Sequence, residues 1–253
     1  MLLAIDVGNT HSVYGLHDGE TWRAVWRRAT DVEDTADEIG AWLATLHGVA
    51  GVVFAADRCV VASVVPSING ALVELAQKYY GCEARMLRGD SAHGVPVTYD
   101  PPSGVGADRI ANAIAALAIA PPPVVVVDFG TATTFDVVDR TGAYVGGAIL
   151  AGPLTALESL IGRTAKLPST ELKLPEAAIG RNTTEALRSG TMFGYAGAID
   201  ALAERIDVEL GGGATFIATG GLSHAFQDLS RYLERIEPML TLDGLRLFAD
   251  RAG

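Results

Sequence analysis

Residues 2–20 read LLAIDVGNTHSVYGLHDGE, and residues 124–142 read VVVVDFGTATTFDVVDRTG. In each stretch an apolar run ends in an aspartate, Asp6 or Asp128. One apolar residue, a glycine (Gly8 or Gly130) and small hydroxyl or amide residues follow, then a second β-prone run that closes near Gly19 or Gly142. A short continuous apolar run bounded by turn residues reads as a buried strand. Each copy therefore predicts a strand, a tight turn and a returning strand. Asp6 aligns with Asp128, Gly8 with Gly130 and Asn9 with Thr131. The interval between the copies is too long for a solenoid repeat, so the chain reads as a duplicated domain with two facing hairpins.

The turn chemistry suits phosphate. A glycine lets main-chain N–H groups approach a ligand closely, Asn9 and Thr10 add side-chain donors, and successive amides form an anion nest. A carboxylate at Asp6 repels phosphate directly and must act through a cation or a water. Two such hairpins, one per domain, predict a clamp on a nucleotide's phosphates. A third glycine element, Thr219-Gly220-Gly221, follows the apolar run ATFIATGG (214–221) and offers bare backbone to a flat group such as adenosine.

Working outward, residues 21–28 predict a third strand, and Ile39, Trp42, Leu43 and Leu46 share a helical face within 34–47. A strand over 59–67 and a helix over 69–80 follow. An Ala-rich helix over 106–120 stops at Pro121-Pro122-Pro123. Beyond it, 124–130 and 133–139 predict strands, 154–161 and 184–206 helices, 214–221 a strand, and 240–249 the close of the last segment. Alternating strands and helices predict an α/β fold, with the proline stretch dividing domains 1–120 and 121–253.

The 253 residues are 49% hydrophobic and carry a net charge of −11, which argues against a generic nucleic-acid surface or a polybasic membrane patch. Two isolated cysteines, Cys59 and Cys82, give neither a disulfide framework nor a CxxC zinc site. No signal peptide or membrane span is legible, and a cytoplasmic location is expected. The Walker A pattern is absent and none of Lys78, Lys166 and Lys173 sits in a glycine loop, which argues against a P-loop kinase. In GVGADR (104–109) an arginine stands where the last glycine of a dinucleotide fingerprint belongs, and no strand precedes it.

That stretch is the most distinctive in the chain. Pro101-Pro102 stiffens the approach, Gly104 and Gly106 free the backbone, and Asp108-Arg109 open the Ala-rich helix. An acid–base carboxylate beside a guanidinium fork suits a small substrate that bears a carboxylate.

The glycine elements together resemble the phosphate 1, phosphate 2 and adenosine motifs of the acetate kinase–sugar kinase–Hsp70–actin superfamily. At GADR the resemblance narrows to the type III pantothenate kinases and runs end to end: DVGNT (6–10), GADR (106–109), DFGTATT (128–134), GGAI (146–149), RTAKLP (163–168), NTTEALRSG (182–190) and ATGGLS (218–223). It implies two ribonuclease H-like (actin-like ATPase) domains with a nucleotide cleft between them. It also implies transfer of the ATP γ-phosphoryl group to pantothenate, the first step of coenzyme A synthesis. Carried over by position, ATP contacts Asp6, Val7, Gly8, Asn9, Thr10, His11, Ser12, Val13 and Thr131, with Mg²⁺ held indirectly by Asp6. Asp108 is the proton acceptor. Tyr99, Gly106, Ala107, Asp108, Arg109 and Thr183 line the pantothenate site. Asp128 binds a monovalent cation, K⁺ or NH₄⁺, and the family's enzymes are homodimers. Two positions depart from the pattern: His11 replaces an Asn or another small polar residue, and Leu150-Ala151-Gly152-Pro153 replaces a Pro-Gly turn. A non-catalytic accessory factor in transcriptional control, on the same fold, is the alternative. The presence of Asp6, Asp108, Asp128 and Thr131 argues for the kinase.

Overall fold

The computed structural model describes residues 1–164 and 167–251. The first half of the chain forms β1 (Leu2–Val7), β2 (His11–His17), β3 (Trp22–Ala29), α1 (Ala36–Ala50), β4 (Arg58–Ser63), α2 (Asn69–Leu75), β5 (Ala84–Met86) and α3 (Ala107–Ile119). The second half forms β6 (Val124–Phe129), β7 (Ala132–Val138), β8 (Tyr144–Ala151), α4 (Pro153–Gly162), α5 (Thr183–Glu209), β9 (Thr215–Thr219), α6 (Ser223–Phe226), β10 (Arg235–Ile236) and α7 (Leu240–Asp250).

Two five-stranded sheets result, in the orders β3-β2-β1-β4-β5 and β10-β9-β6-β7-β8. They are the same sheet read in opposite directions. In each, a three-strand antiparallel meander leads, and its first strand then pairs parallel with a later one, β1 with β4 and β6 with β9. Sitting at the centre explains why LLAIDV and VVVVDF are apolar without alternation, since both faces are covered. β3, at an edge, alternates half-buried and exposed side chains along its length.

In the first unit Leu3, Ile5, Val7, Tyr14, Leu16 and Val61 pack against Ile39, Leu43, Leu72 and Leu75 of α1 and α2. Helix α1 starts where Thr35 and Glu38 form a reciprocal capping box and ends at a left-handed Gly51. In the second unit Val125, Val127, Phe129, Phe135 and Val137 pack against Met192, Ala196, Ile199 and Ala203 of α5, three and four residues apart on one helix face.

The compact units are Met1–Ala115 together with the chain from Met239 onward, and Ala116–Pro238. This division differs from one at the proline stretch with 121–253 kept whole. The cause is α7, whose Leu240, Leu242, Leu245 and Phe248 are buried. It lies on β1 and β4 of the first unit. Its Gly244 passes so close to Ala111 of α3 that a Cβ there would collide with the Ala111 carbonyl. Thr241 Oγ1 donates to Asn112 Oδ1 (2.8 Å) and Trp22 Nε1 to Asp243 Oδ1 (2.9 Å). Burying each large apolar side chain is worth about 1.5–3 kcal/mol.

Three strands escaped the sequence reading. β8 was hidden by Gly146 and Gly147, which lower β-propensity. β5 and β10 are too short to show a period. The strand expected over 59–67 ends at Ser63, because Pro66 opens a 3₁₀ turn.

Candidate functional site

Strand register puts Asp6 opposite Val13 of β2 and Ala62 of β4, at the carboxyl end of the first sheet. The turn that follows is Gly8-Asn9-Thr10. Gly8 N–H donates to the His11 carbonyl (3.0 Å), and a Cβ at Gly8 would stand 3.1 Å from that oxygen. Asn9, Thr10 and His11 are exposed, as donors to a ligand must be, whereas Val7 and Ser12 are buried. Val7 therefore belongs to the core and offers a ligand only its main chain. His11 shows a main-chain role as the acceptor that closes the turn. Partial burial and then Arg27 hold its imidazole below the usual pKa.

Asp108 and the turn share one end of the sheet. Val64, just past β4, donates its N–H to the Val7 carbonyl (3.0 Å), and its Cγ1 lies 3.4 Å from where a Cβ on Gly106 would stand. That absent Cβ would also fall 2.5 Å from Asp108 Oδ1, so Gly106 keeps the carboxylate's space clear. Arg109 N–H donates to Asp108 Oδ1 (2.8 Å). Burial pushes the Asp108 carboxyl above the usual range; that hydrogen bond and the Arg109 charge pull the other way without cancelling it. Arg109 is itself buried, and Ala107 packs in the core. Tyr99 is exposed on the preceding loop, with Cε1 3.8 Å from the Cβ position of Gly104.

In the second unit Asp128 pairs in register with Thr134 and Thr219. Gly220 has φ +86°, a conformation that disfavours side chains, and a Cβ there would stand 2.5 Å from Asp128 Oδ1. The glycine of the third motif thus packs its bare face on the second aspartate. The turn is Gly130-Thr131, one residue shorter than its counterpart. The gapless match consequently slips beyond it: the register makes Ser12 equivalent to Thr133, both buried. Thr131 is exposed, and its carbonyl accepts from Gly152 N–H (2.9 Å) and Thr155 Oγ1 (2.8 Å).

Thr183 opens α5 behind the cap residue Asn182, whose side chain accepts from Glu185 N–H. It lines a groove of about 540 Å³ with Leu157 and Leu160 of α4, Leu167, and Leu187 and Tyr195 of α5. Of the motif RTAKLP, Ala165 and Lys166 lie outside the described residues. The sequence reading missed the residues that brace the two turns: Thr30, whose hydroxyl donates to the Gly8 carbonyl (2.7 Å), and Gly152 and Thr155. Thr30 and Gly152 come right after the third strand of their meanders, and Thr155 lies in the first turn of α4.

Among the described residues no group of three or more His, Cys, Asp or Glu side chains is placed to hold a metal ion. A lone carboxylate such as Asp6 suits a divalent ion that arrives on ATP and keeps phosphate and water oxygens as ligands. Asp128 Oδ1 and the Phe129 carbonyl oxygen both lie against the bare face of Gly220, and oxygen donors of that kind suit a hard cation.

The sequence profile described as type III pantothenate kinase matches residues 2–205. The chain is 46% identical over 254 residues to the type III pantothenate kinase of Thermomicrobium roseum, covering 99% of this chain and 97% of that one. It is 42% identical over 252 residues to that of Acidiphilium cryptum, covering 99% and 95%. Among solved structures, a protein from Campylobacter jejuni assigned to a Baf family of transcriptional activators superposes with TM-score 0.63 at 19% identity, over 98% of both chains. The activator of 2-hydroxyisocaproyl-CoA dehydratase from Clostridium difficile superposes with TM-score 0.56 at 14% identity, over 99% and 95%. Likenesses that remote carry the fold alone, whereas the sequence relatives carry a family, and the chain belongs to the type III pantothenate kinases.

Proposed function

We propose that the chain, as a kinase of this family, transfers the γ-phosphoryl group of ATP to the primary hydroxyl of pantothenate, giving 4'-phosphopantothenate, the first step of coenzyme A biosynthesis. The observation that carries the assignment of roles is Asp108, half-buried with its pKa raised, at the same sheet end as the Asp6 turn. A base works best when its pKa lies near the operating pH, and burial moves Asp108 in that direction. As the hydroxyl oxygen bonds to phosphorus, its proton passes to the Asp108 carboxylate. The bond from phosphorus to the bridging oxygen breaks, and ADP leaves with the electron pair. The transition state is loose, so orientation matters more than basicity. The start of α3 supplies it.

The exposed Asn9 and Thr10 donors and the turn amides hold the ATP phosphates, with Thr131 adding a contact and Asp6 acting on Mg²⁺. A K⁺ or NH₄⁺ ion at Asp128 supplies positive charge beside the second turn. Arg109 faces the carboxylate of pantothenate, and Tyr99, Gly106, Ala107 and Thr183 complete that site. Exposed apolar side chains at Ile149 of β8, Leu154 and Leu160 of α4 and Phe193 of α5 support a homodimer. No helix among the described residues is long and apolar enough to cross a membrane. The two free thiols fit a reducing cytoplasm.

The test is an assay of ADP release with pantothenate as acceptor, in potassium and in sodium. Pantothenate-dependent ADP release that falls in sodium is expected. No release above the ATP-only background in potassium overturns the proposal.

A further inference from the structure

Thr30, one residue beyond β3, reaches the main chain of the first and last residues of the first turn. Its hydroxyl donates to the Gly8 carbonyl (2.7 Å), and its N–H donates to the Thr10 carbonyl (3.0 Å). Ser12 Oγ lies 2.8 Å from Thr30 Oγ1. Thr30 has one hydroxyl proton and it is committed to Gly8, so Ser12 is the donor in that pair. Ser12 is fully buried, at 1% exposure, and anchors the relay in the sheet.

The second turn is tied differently. Gly152 N–H meets the Thr131 carbonyl, as Thr30 N–H meets that of Thr10. The first residue beyond β8 has no side chain, however, and the hydroxyl comes from Thr155 of α4 to that same Thr131 oxygen. The Thr155 hydroxyl goes to Thr131, whereas that of Thr30 goes to the glycine that opens its turn. The longer turn is the one held at both its first and last residues. A three-residue turn has more conformations to lose than a two-residue one, and donors aimed at an anion are effective only when held in place before it arrives.

We propose that Thr30 is the positioning residue of the ATP-binding turn, fixing Gly8 and Thr10 so that the Asn9 and Thr10 donors are preorganised for phosphate. The inference rests on the reading of this turn as the ATP site. Thr30 acts through the turn, because its hydroxyl is spent on Gly8 and Ser12.

The experiment compares the full chain with Thr30→Val, Thr30→Ser, Ser12→Ala and Asn9→Ala. MgATP affinity is read by calorimetry, and KM for ATP and for pantothenate by ADP release. Thr30→Val keeps shape and N–H but removes the hydroxyl. Its MgATP Kd and ATP KM are expected to rise roughly tenfold, the effect of losing a well-placed hydrogen bond. KM for pantothenate should stay within about twofold, since the turn's amides do not touch that substrate. Thr30→Ser is expected to restore ATP binding. Wild-type ATP affinity in Thr30→Val, alongside lost affinity in Asn9→Ala, overturns the positioning role and leaves the turn as the ATP site. Unchanged affinity in Asn9→Ala instead overturns the reading of the turn. If Thr30→Val does not fold, Ser12→Ala, which loosens the relay from its far end, decides: about threefold weaker ATP binding supports the proposal, and no change overturns it.

Discussion

β1 and β6 bury the same positions in the same order, five inside and the aspartate half-buried, and β2 and β7 match after their first residue. Between those matched strands the turns diverge: Gly8-Asn9-Thr10 in one unit, Gly130-Thr131 in the other, braced by different residues. Further along, Gly15 occupies the position of Asp136. The glycine makes room for Trp22, whose ring would lie 2.6 Å from a Cβ there. Asp136 is fully buried and accepts from Thr134 Oγ1 (3.1 Å) and Tyr144 OH (3.3 Å). Packing fixes the strands because a central strand has no free face. Turns at the sheet end carry no such constraint, so one frame bears two different sets of donors.

If the two aspartates serve different cations, their substitutions must differ in kind. Asp6→Asn should abolish turnover, a loss beyond about 10⁴-fold, by disturbing Mg–ATP geometry. Near-normal turnover in a folded Asp6→Asn enzyme would break the distinction. Asp108→Asn is expected to lower kcat by roughly 10²–10⁴-fold, the range for loss of a general base. Its ATP affinity should hold within about twofold, because the phosphates belong to the turns. Calorimetry and ADP release on one preparation separate the two quantities.

Asp128→Ala should cost less, about tenfold, and should remove the difference between potassium and sodium. A variant that keeps the potassium preference would place the cation elsewhere. The glycines sharpen the same comparison through stability. Gly220→Ala must hold a side chain at φ +86° against Asp128 and should destabilise by about 1–3 kcal/mol. Gly8→Ala meets only the His11 carbonyl at 3.1 Å and should cost less than about 1 kcal/mol. Thermal melts of both rank them.

The smallest effect is a gain. Asp108 has its pKa raised by burial, so the folded chain binds its proton more tightly than the unfolded chain does. That contribution to stability is full below the unfolded pKa and is lost as pH rises through the folded one. At neutral pH the ionised carboxylate is therefore a cost that Asp108→Asn removes. The variant should melt about 2–4 °C higher at pH 7, with the gap closing towards pH 4. A gap that widens on acidification would reverse the sign.

The hairpins were legible because a buried strand, an aspartate and a glycine turn are local in sequence and occur twice. The place of Asp108 at a helix start was legible because GADR opens a helix whose alanines show the helical pattern. What stayed hidden depends on contacts between residues far apart. Thr30 reads as a loop threonine until the register brings it over Gly8. Val7 and Ala107 sit inside ligand motifs, yet both are core residues. Helix α7 has an ordinary amphipathic pattern, and nothing in it names β1 and β4 as its partners.

That helix also sets the order in which a growing chain can finish its parts. Everything the second unit requires has been synthesised once Pro238 is made. The first unit, although its strands emerge first, still lacks Leu240, Leu242, Leu245 and Phe248, and Gly15 and Ala111 have no α7 to close on. The part of the protein that bears Asp6 and Asp108 is thus the last to be completed. A released chain that ends at Pro238 should show a protease-resistant second unit and a first unit that is still cleavable, while the full chain should protect both.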